Sequence, residues 1–201
     1  GIVEKIAIEG AIEEIKKDLE DNYYKKEFIK SIKKSIDLEK EKDNDDKLLE
    51  SAKNTWGFPG RNKIQKLPEG FLTKIKDFGV KIRNGQVNIK NQEEFDGSHK
   101  NCVDNIITEY GKYGITVGFA QKIINIYLKY LWSLACIDSS KNNFLHVPVD
   151  RIILMALNAY FNKDQTFRNM ILKNKYELIA WTKITDYEGI YMGIQKKFRE
   201  L

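Results

Sequence analysis

From Ile2 to about Asn22 the apolar residues Ile8, Ile12, Ile15 and Leu19 recur at intervals of three and four, with Glu13-Glu14 and Lys16-Lys17 facing the other way. That spacing predicts an amphipathic helix. A second helix starts near Lys25, places Phe28, Ile29, Ile32 and Ile36 on one stripe, and dissolves into the polar run Glu39–Asp46. Leu48, Leu49 and Ala52 open a short helix that Gly57-Phe58-Pro59-Gly60 stops, because Pro and Gly cannot continue it. Pro68 is placed for the first turn of a helix over Glu69–Arg83, after which Asn84-Gly85 turns the chain and Val87-Asn88-Ile89 forms an extended link. Asn91 or Asp96 caps the next helix, with an apolar line of Cys102, Ile106, Ile107 and Tyr110 that Gly111 ends.

The segment Gly114–Trp132 differs from these. Ile123, Ile124, Tyr127, Leu128, Leu131 and Trp132 make it apolar around most of its circumference, the mark of a central buried helix. A polar loop, Asp138–Asn143, follows, and His146-Val-Pro148-Val149-Asp150 then introduces a helix carrying Ile152, Ile153, Leu154, Leu157 and Tyr160. Shorter helices over 167–172 and 187–199 finish the chain, the last capped by Thr182 or Asp186. No strand pair is evident. The pattern predicts an all-α fold, one bundle of roughly eight helices around a hairpin-linked central pair.

Length and charge refine this picture. At roughly 100–200 residues per domain, 201 residues make one domain or one domain with a helical annex. Residues 1–50 hold 11 lysines against 15 acidic residues, net −4, whereas residues 51–201 hold 23 basic against 14 acidic, net +9. We therefore expect an acidic N-terminal helical hairpin (1–50), packing on or preceding a basic all-α core (51–201). Residues 51–90 carry nine basic residues, including Arg61, Lys63 and Lys66, against two acidic ones, with Trp56, Phe58, Phe71 and Phe78 interleaved. Such a stretch either tracks a nucleic-acid backbone or is a solvated surface. No apolar run approaches 18 residues, and the N-terminus lacks the basic start and apolar run of a signal peptide, so we expect a cytoplasmic protein with no membrane association. Cys102, Cys136, His99 and His146 show no metal-ligand spacing. We expect no metal or cofactor, and two core cysteines.

Candidate chemistry gathers in residues 110–154. Asp150 follows an extended Val-Pro-Val and starts an apolar helix, which makes it an N-cap; the same geometry aims a carboxylate at a cleft edge. Gly114-Ile115-Thr116-Val117-Gly118 opens the central helix. Its turn amides can hold a phosphate, or Gly118 lets two elements pack closely. Gln121, Asn125 and Lys129 lie at i, i+4 and i+8 of that apolar helix, so this polar stripe faces solvent or, with His146, floors a pocket for a base or nucleoside.

Together, the glycine-bearing hairpin, the buried helix and Val147-Pro148-Val149-Asp150-Arg151 resemble the helix-hairpin-helix DNA glycosylases over about residues 110–154. That resemblance implies an all-α fold, a DNA partner gripped by the backbone through Gly114, Thr116 and Gly118, and Asp150 as the essential carboxylate in N-glycosidic bond cleavage. Arg151 follows that Asp, where the family commonly has Thr. The position of the nucleophilic lysine in bifunctional members falls on Ala120, and Lys122, two residues further on, is the alternative nucleophile. The expectation from a different class is a non-enzymatic module that binds a protein partner through residues 1–50.

Overall fold

The computed structural model describes residues 44–56, 67–87, 89–134, 136–137, 144–174 and 177–201, all within the compact unit Lys42–Leu201. The two helices expected before residue 39, the Gly57–Gly60 stop, the 138–143 loop, and Arg61, Lys63 and Lys66 lie outside the described residues.

The fold is all-α. Among the described residues there are seven α-helices against the roughly eight expected: α1 (Asp45–Trp56), α2 (Phe71–Arg83), α3 (Gln92–Tyr110), α4 (Val117–Ser133), α5 (Arg151–Tyr160), α6 (Gln165–Ile171) and α7 (Met192–Arg199). A π-helical turn, Tyr187–Tyr191, runs into α7, and Trp181–Lys183 forms a single 3-10 turn. The hydrophobic pattern missed one antiparallel pair of short strands, β1 (Leu172–Asn174) and β2 (Glu177–Leu178). Strands of three and two residues are too short to show alternation. The local signal is instead Asn174, whose side chain accepts a hydrogen bond from the Glu177 amide at 3.0 Å and closes the turn.

Helix α4 is the core. From Val117 to Leu131 every residue is buried except Lys122 and Lys129, and α1, α2 and α3 all pack against it. Asp45 ties three helices together. It accepts a bidentate pair from Arg83 on α2 (2.9 and 2.7 Å) and a hydrogen bond from the Tyr127 hydroxyl on α4 (2.9 Å). The caps follow residue chemistry: Asn91, Asp150, Asp164 and Asp186 each accept a backbone N–H from the first turn that they open.

Three expectations shift. The apolar line of α3 is Phe95, His99, Val103, Ile106 and Tyr110; Cys102 and Ile107 flank it. The cysteines are half-buried rather than core, and burial pushes the Cys102 thiol up to about 12. On α5 only Leu154 and Leu157 are buried, while Ile152 and Tyr160 face solvent.

Candidate active site

Residues 146–150 lead into α5 outside any helix or strand, and Asp150 ends that run with an extended backbone, φ −140°. Its two carboxylate oxygens have different jobs. Oδ1 accepts the amides of Ile152 (2.8 Å) and Ile153 (3.0 Å), which is the N-cap, while Oδ2 lies 3.5 Å from the Lys122 ammonium. The cap therefore fixes the direction in which the second oxygen points.

Lys122 reaches this carboxylate from α4. Its side chain is 12% exposed against 25% for Asp150, and its Nζ sits 4.6 Å from the centroid of the Trp181 ring. Burial lowers the Lys122 ammonium below its ordinary value, and Asp150 opposes that shift without reversing it. A lysine held this way gives up its proton more readily than a solvated one, beside a carboxylate able to receive it. The chemistry available is amine attack on an electrophilic carbon, or carboxylate stabilisation of a developing cation.

The hairpin before α4 is arranged for packing. Gly114 is exposed and left-handed (φ 84°), ending the 3-10 turn Gly111–Tyr113. Thr116 caps α4 by accepting the Phe119 amide at 3.3 Å and donates its own hydroxyl to the Thr182 carbonyl at 2.9 Å. The Gly118 amide donates to the Ile184 carbonyl at 2.9 Å. Of the two readings of Gly118, close packing is the one observed: its amide is taken by the 181–184 segment, so it is not open to a phosphate. The same segment lays Trp181 over Lys122. Arg151, at the start of α5, is exposed.

The polar stripe of α4 turns inward. Gln121 and Asn125 are 0% and 1% exposed and use their amides on internal partners, so they neither face solvent nor floor an open pocket. Gln121 exchanges two hydrogen bonds with the Val149 backbone: Nε2 donates to the carbonyl (2.8 Å) and Oε1 accepts the amide (3.1 Å). Positions spaced by four advance about 40° each around a helix, so Lys129 lies well round from Gln121. It is half-buried near the Tyr130 ring, and burial lowers its ammonium as well.

His146 belongs to a buried chain of hydrogen bonds. Its Nε2 is 2.7 Å from Asp96 Oδ1 and its Nδ1 is 2.8 Å from the Tyr191 hydroxyl. Burial opposes ionisation of Asp96, but hydrogen bonds from His146, Arg199 and Gln92 prevail and hold its carboxyl below the usual carboxylate range. An ionised carboxylate only accepts, so His146 carries its proton on Nε2, and Nδ1 accepts from Tyr191. The Tyr191 hydroxyl is in turn 2.9 Å from Asn125 Nδ2. Asn125 Oδ1 is 3.0 Å from His99 Nε2, and His99 Nδ1 is 2.8 Å from the Tyr187 hydroxyl. Sequence reasoning missed Asp96, His99, Tyr187 and Tyr191 as members of this network, and Gln195, which is buried beside it and hydrogen-bonds the Val147 backbone.

Burial lowers both histidines below the ordinary value of 6.5. Above that pH both states are neutral; below it the unfolded chain takes up protons that the folded one refuses. Stability is then lost as pH falls, by about 1.4 kcal/mol per pH unit for each such histidine. The urea midpoint is expected to drop between pH 7.5 and 5.5 by the equivalent of about 2 kcal/mol, and His99→Gln to flatten that dependence. An unchanged midpoint contradicts neutral buried histidines.

Among the described residues no group of His, Cys, Asp and Glu is arranged to hold a metal ion, and no helix is long and apolar enough to cross a membrane. No family model matches the chain, and no curated protein or solved structure matches it.

Proposed function

We propose that this chain is a DNA-acting protein that cleaves an N-glycosidic bond, releasing a modified base, with Lys122 as nucleophile and Asp150 as the essential carboxylate. The observation that supports this most is the ion pair itself: a desolvated lysine and a cap-fixed carboxylate, 28 residues apart in sequence, meet at 3.5 Å beside an aromatic face. The resemblance over residues 110–154 and the net charge of +9 on residues 51–201 favour DNA as substrate.

In the proposed step the Lys122 ammonium passes a proton to Asp150, and the neutral amine attacks C1′ of the sugar. The C1′–N bond breaks, the leaving base keeps the bonding electrons, and Asp150 returns the proton to it. A second proton passes from the nitrogen to O4′ as the C1′–O4′ bond breaks and the nitrogen lone pair forms the double bond to C1′, leaving a protonated imine between Lys122 and C1′; water then adds to C1′ and the amine leaves, restoring Lys122 and the sugar aldehyde. The target base leaves the stack for this to happen, since C1′ inside a paired duplex is shielded.

The test uses the full chain with labelled duplexes, one holding a panel of modified bases and one an abasic-site analogue, at two salt concentrations with borohydride present. Expected are salt-sensitive binding, tighter for the abasic analogue, and a borohydride-stabilised protein–DNA adduct. No binding at low salt overturns the proposal and directs the search to a protein partner for residues 1–50. Base release without an adduct assigns the attack to water and leaves Asp150 as the only catalytic side chain of the pair.

A further inference from the structure

The segment 146–149 belongs to no helix or strand, and among the described residues no strand pairs with it, so its backbone groups must find partners elsewhere or remain costly. Side chains supply them. The Val147 amide donates to Gln195 Oε1 (3.0 Å) and its carbonyl accepts from Gln195 Nε2 (2.8 Å). Two residues on, the Val149 backbone makes the same exchange with Gln121. A primary amide carries one donor face and one acceptor face in a plane, like a peptide group, so each glutamine imitates the neighbouring strand of a ladder. Residues i and i+2 of an extended chain point their amides the same way, and Pro148, between them, has no N–H to satisfy.

The two clamps are anchored on different helices, Gln195 on α7 and Gln121 on α4, and both glutamines are buried. Gln121 is the direct neighbour of Lys122, just as Val149 is of Asp150. One turn of α4 thus grips the backbone next to the carboxylate with one residue and faces that carboxylate with the next. Gln121 is further braced by the Gly118 carbonyl (2.9 Å) and by Asn125 (3.2 Å), so it has no freedom to follow a drifting segment.

We propose that Gln121 and Gln195 are positioning residues that together hold the 147–149 backbone and thereby set the Lys122–Asp150 separation. For function this rests on the base-release reading above, but the geometry is testable without DNA. The measurement is the titration of Lys122, followed by NMR on reductively methylated protein and assigned with Lys122→Arg. The variants are Gln121→Met, Gln195→Met, and each combined with Asp150→Asn.

Freed from its clamp, Asp150 moves away from Lys122, whose midpoint falls by about one unit in Gln121→Met. Asp150→Asn alone gives a fall in the same direction, and adding Gln121→Met to it gives no further change. An unchanged midpoint overturns the proposal. So does a rise, which is what water entering a loosened site produces, and so does an equal shift in the Asp150→Asn background. On duplex DNA holding the released base, Gln121→Met is expected to lower kcat by about 10- to 100-fold with KM within about twofold, since misplacement by about 1 Å has that cost. If the wild type releases no base while the titration behaves as stated, the chemistry fails and the clamp stands.

Hydrogen exchange on the wild type covers the case in which a variant does not fold. The Val147 and Val149 amides are expected to be protected although no strand pairs with them; exchange at open-chain rates overturns the clamp.

Discussion

Gly118→Ala is expected to destabilise the protein by about 3 kcal/mol, lowering Tm by roughly 6–12 °C, although helix propensity alone favours alanine by about 1 kcal/mol. The opposing effect is steric. A Cβ at Gly118 falls on the carbonyl oxygen of Trp181 and lies 2.9 Å from its carbon. These are backbone atoms, so no rotamer change relieves the clash, and the whole 181–184 segment must retreat. Its retreat breaks the Gly118 N–H···Ile184 hydrogen bond and strains the Thr116 hydroxyl's bond to Thr182, each worth about 1 kcal/mol. Gly97, on the exposed side of α3, is the internal control: a Cβ there meets nothing within 4 Å. Gly97→Ala is expected to raise stability by about 0.5–1 kcal/mol. The same substitution at two helical glycines should move Tm in opposite directions, and a loss at Gly97 or a gain at Gly118 contradicts the packing described. Gly118→Ala also draws Trp181 off Lys122, so Trp181 fluorescence should change at Gly118 and not at Gly97.

How much of this site could be read from the chain depends on how local each part is. Asp150 was legible because a cap is decided within a few residues: Val-Pro-Val forces an extended approach, and the apolar run after it starts a helix. The burial of α4 was legible because, apart from Gln121, Lys122, Asn125 and Lys129, every position from Val117 to Leu131 is apolar, aromatic or glycine. Gln121 and Asn125 stood out as exceptions in that run, but whether an exception faces solvent or a partner is decided by Val149, 28 residues away from Gln121. His99 occupies an apolar stripe at helical spacing with Phe95, Val103 and Ile106, and its signal was masked by Cys102 and Ile107, which define a rival stripe one residue round. Gln195, between Ile194 and Lys196-Lys197, gives no local sign of being buried. Its role arises because, among the described residues, no strand pairs with the Val147 backbone.

Lys122→Gln is expected to abolish the borohydride-stabilised adduct, and Asp150→Asn to slow base release by about a thousandfold, both with the fold retained. Asparagine caps a helix about as well as aspartate, so the hydrogen bonds to Ile152 and Ile153 survive Asp150→Asn. What disappears is the negative charge facing Lys122. Because Lys122 is mostly buried and keeps its charge without a partner, the loss is expected to cost about 1–2 kcal/mol of stability. The double variant is expected to be no slower than the worse single one, since an amine and the carboxylate that takes its proton act as one unit. Duplex affinity and its salt slope are expected to stay within about threefold of wild type, because the Lys122 charge is already balanced by Asp150 and adds little to phosphate binding. An adduct that persists in Lys122→Gln moves the nucleophile to another lysine. A wild-type rate in Asp150→Asn removes the carboxylate from the reaction and leaves it as a helix cap. The two results report on different groups of one unit: the adduct reports on the amine of α4, and the rate reports on the carboxylate at the start of α5, which meets that amine at Oδ2.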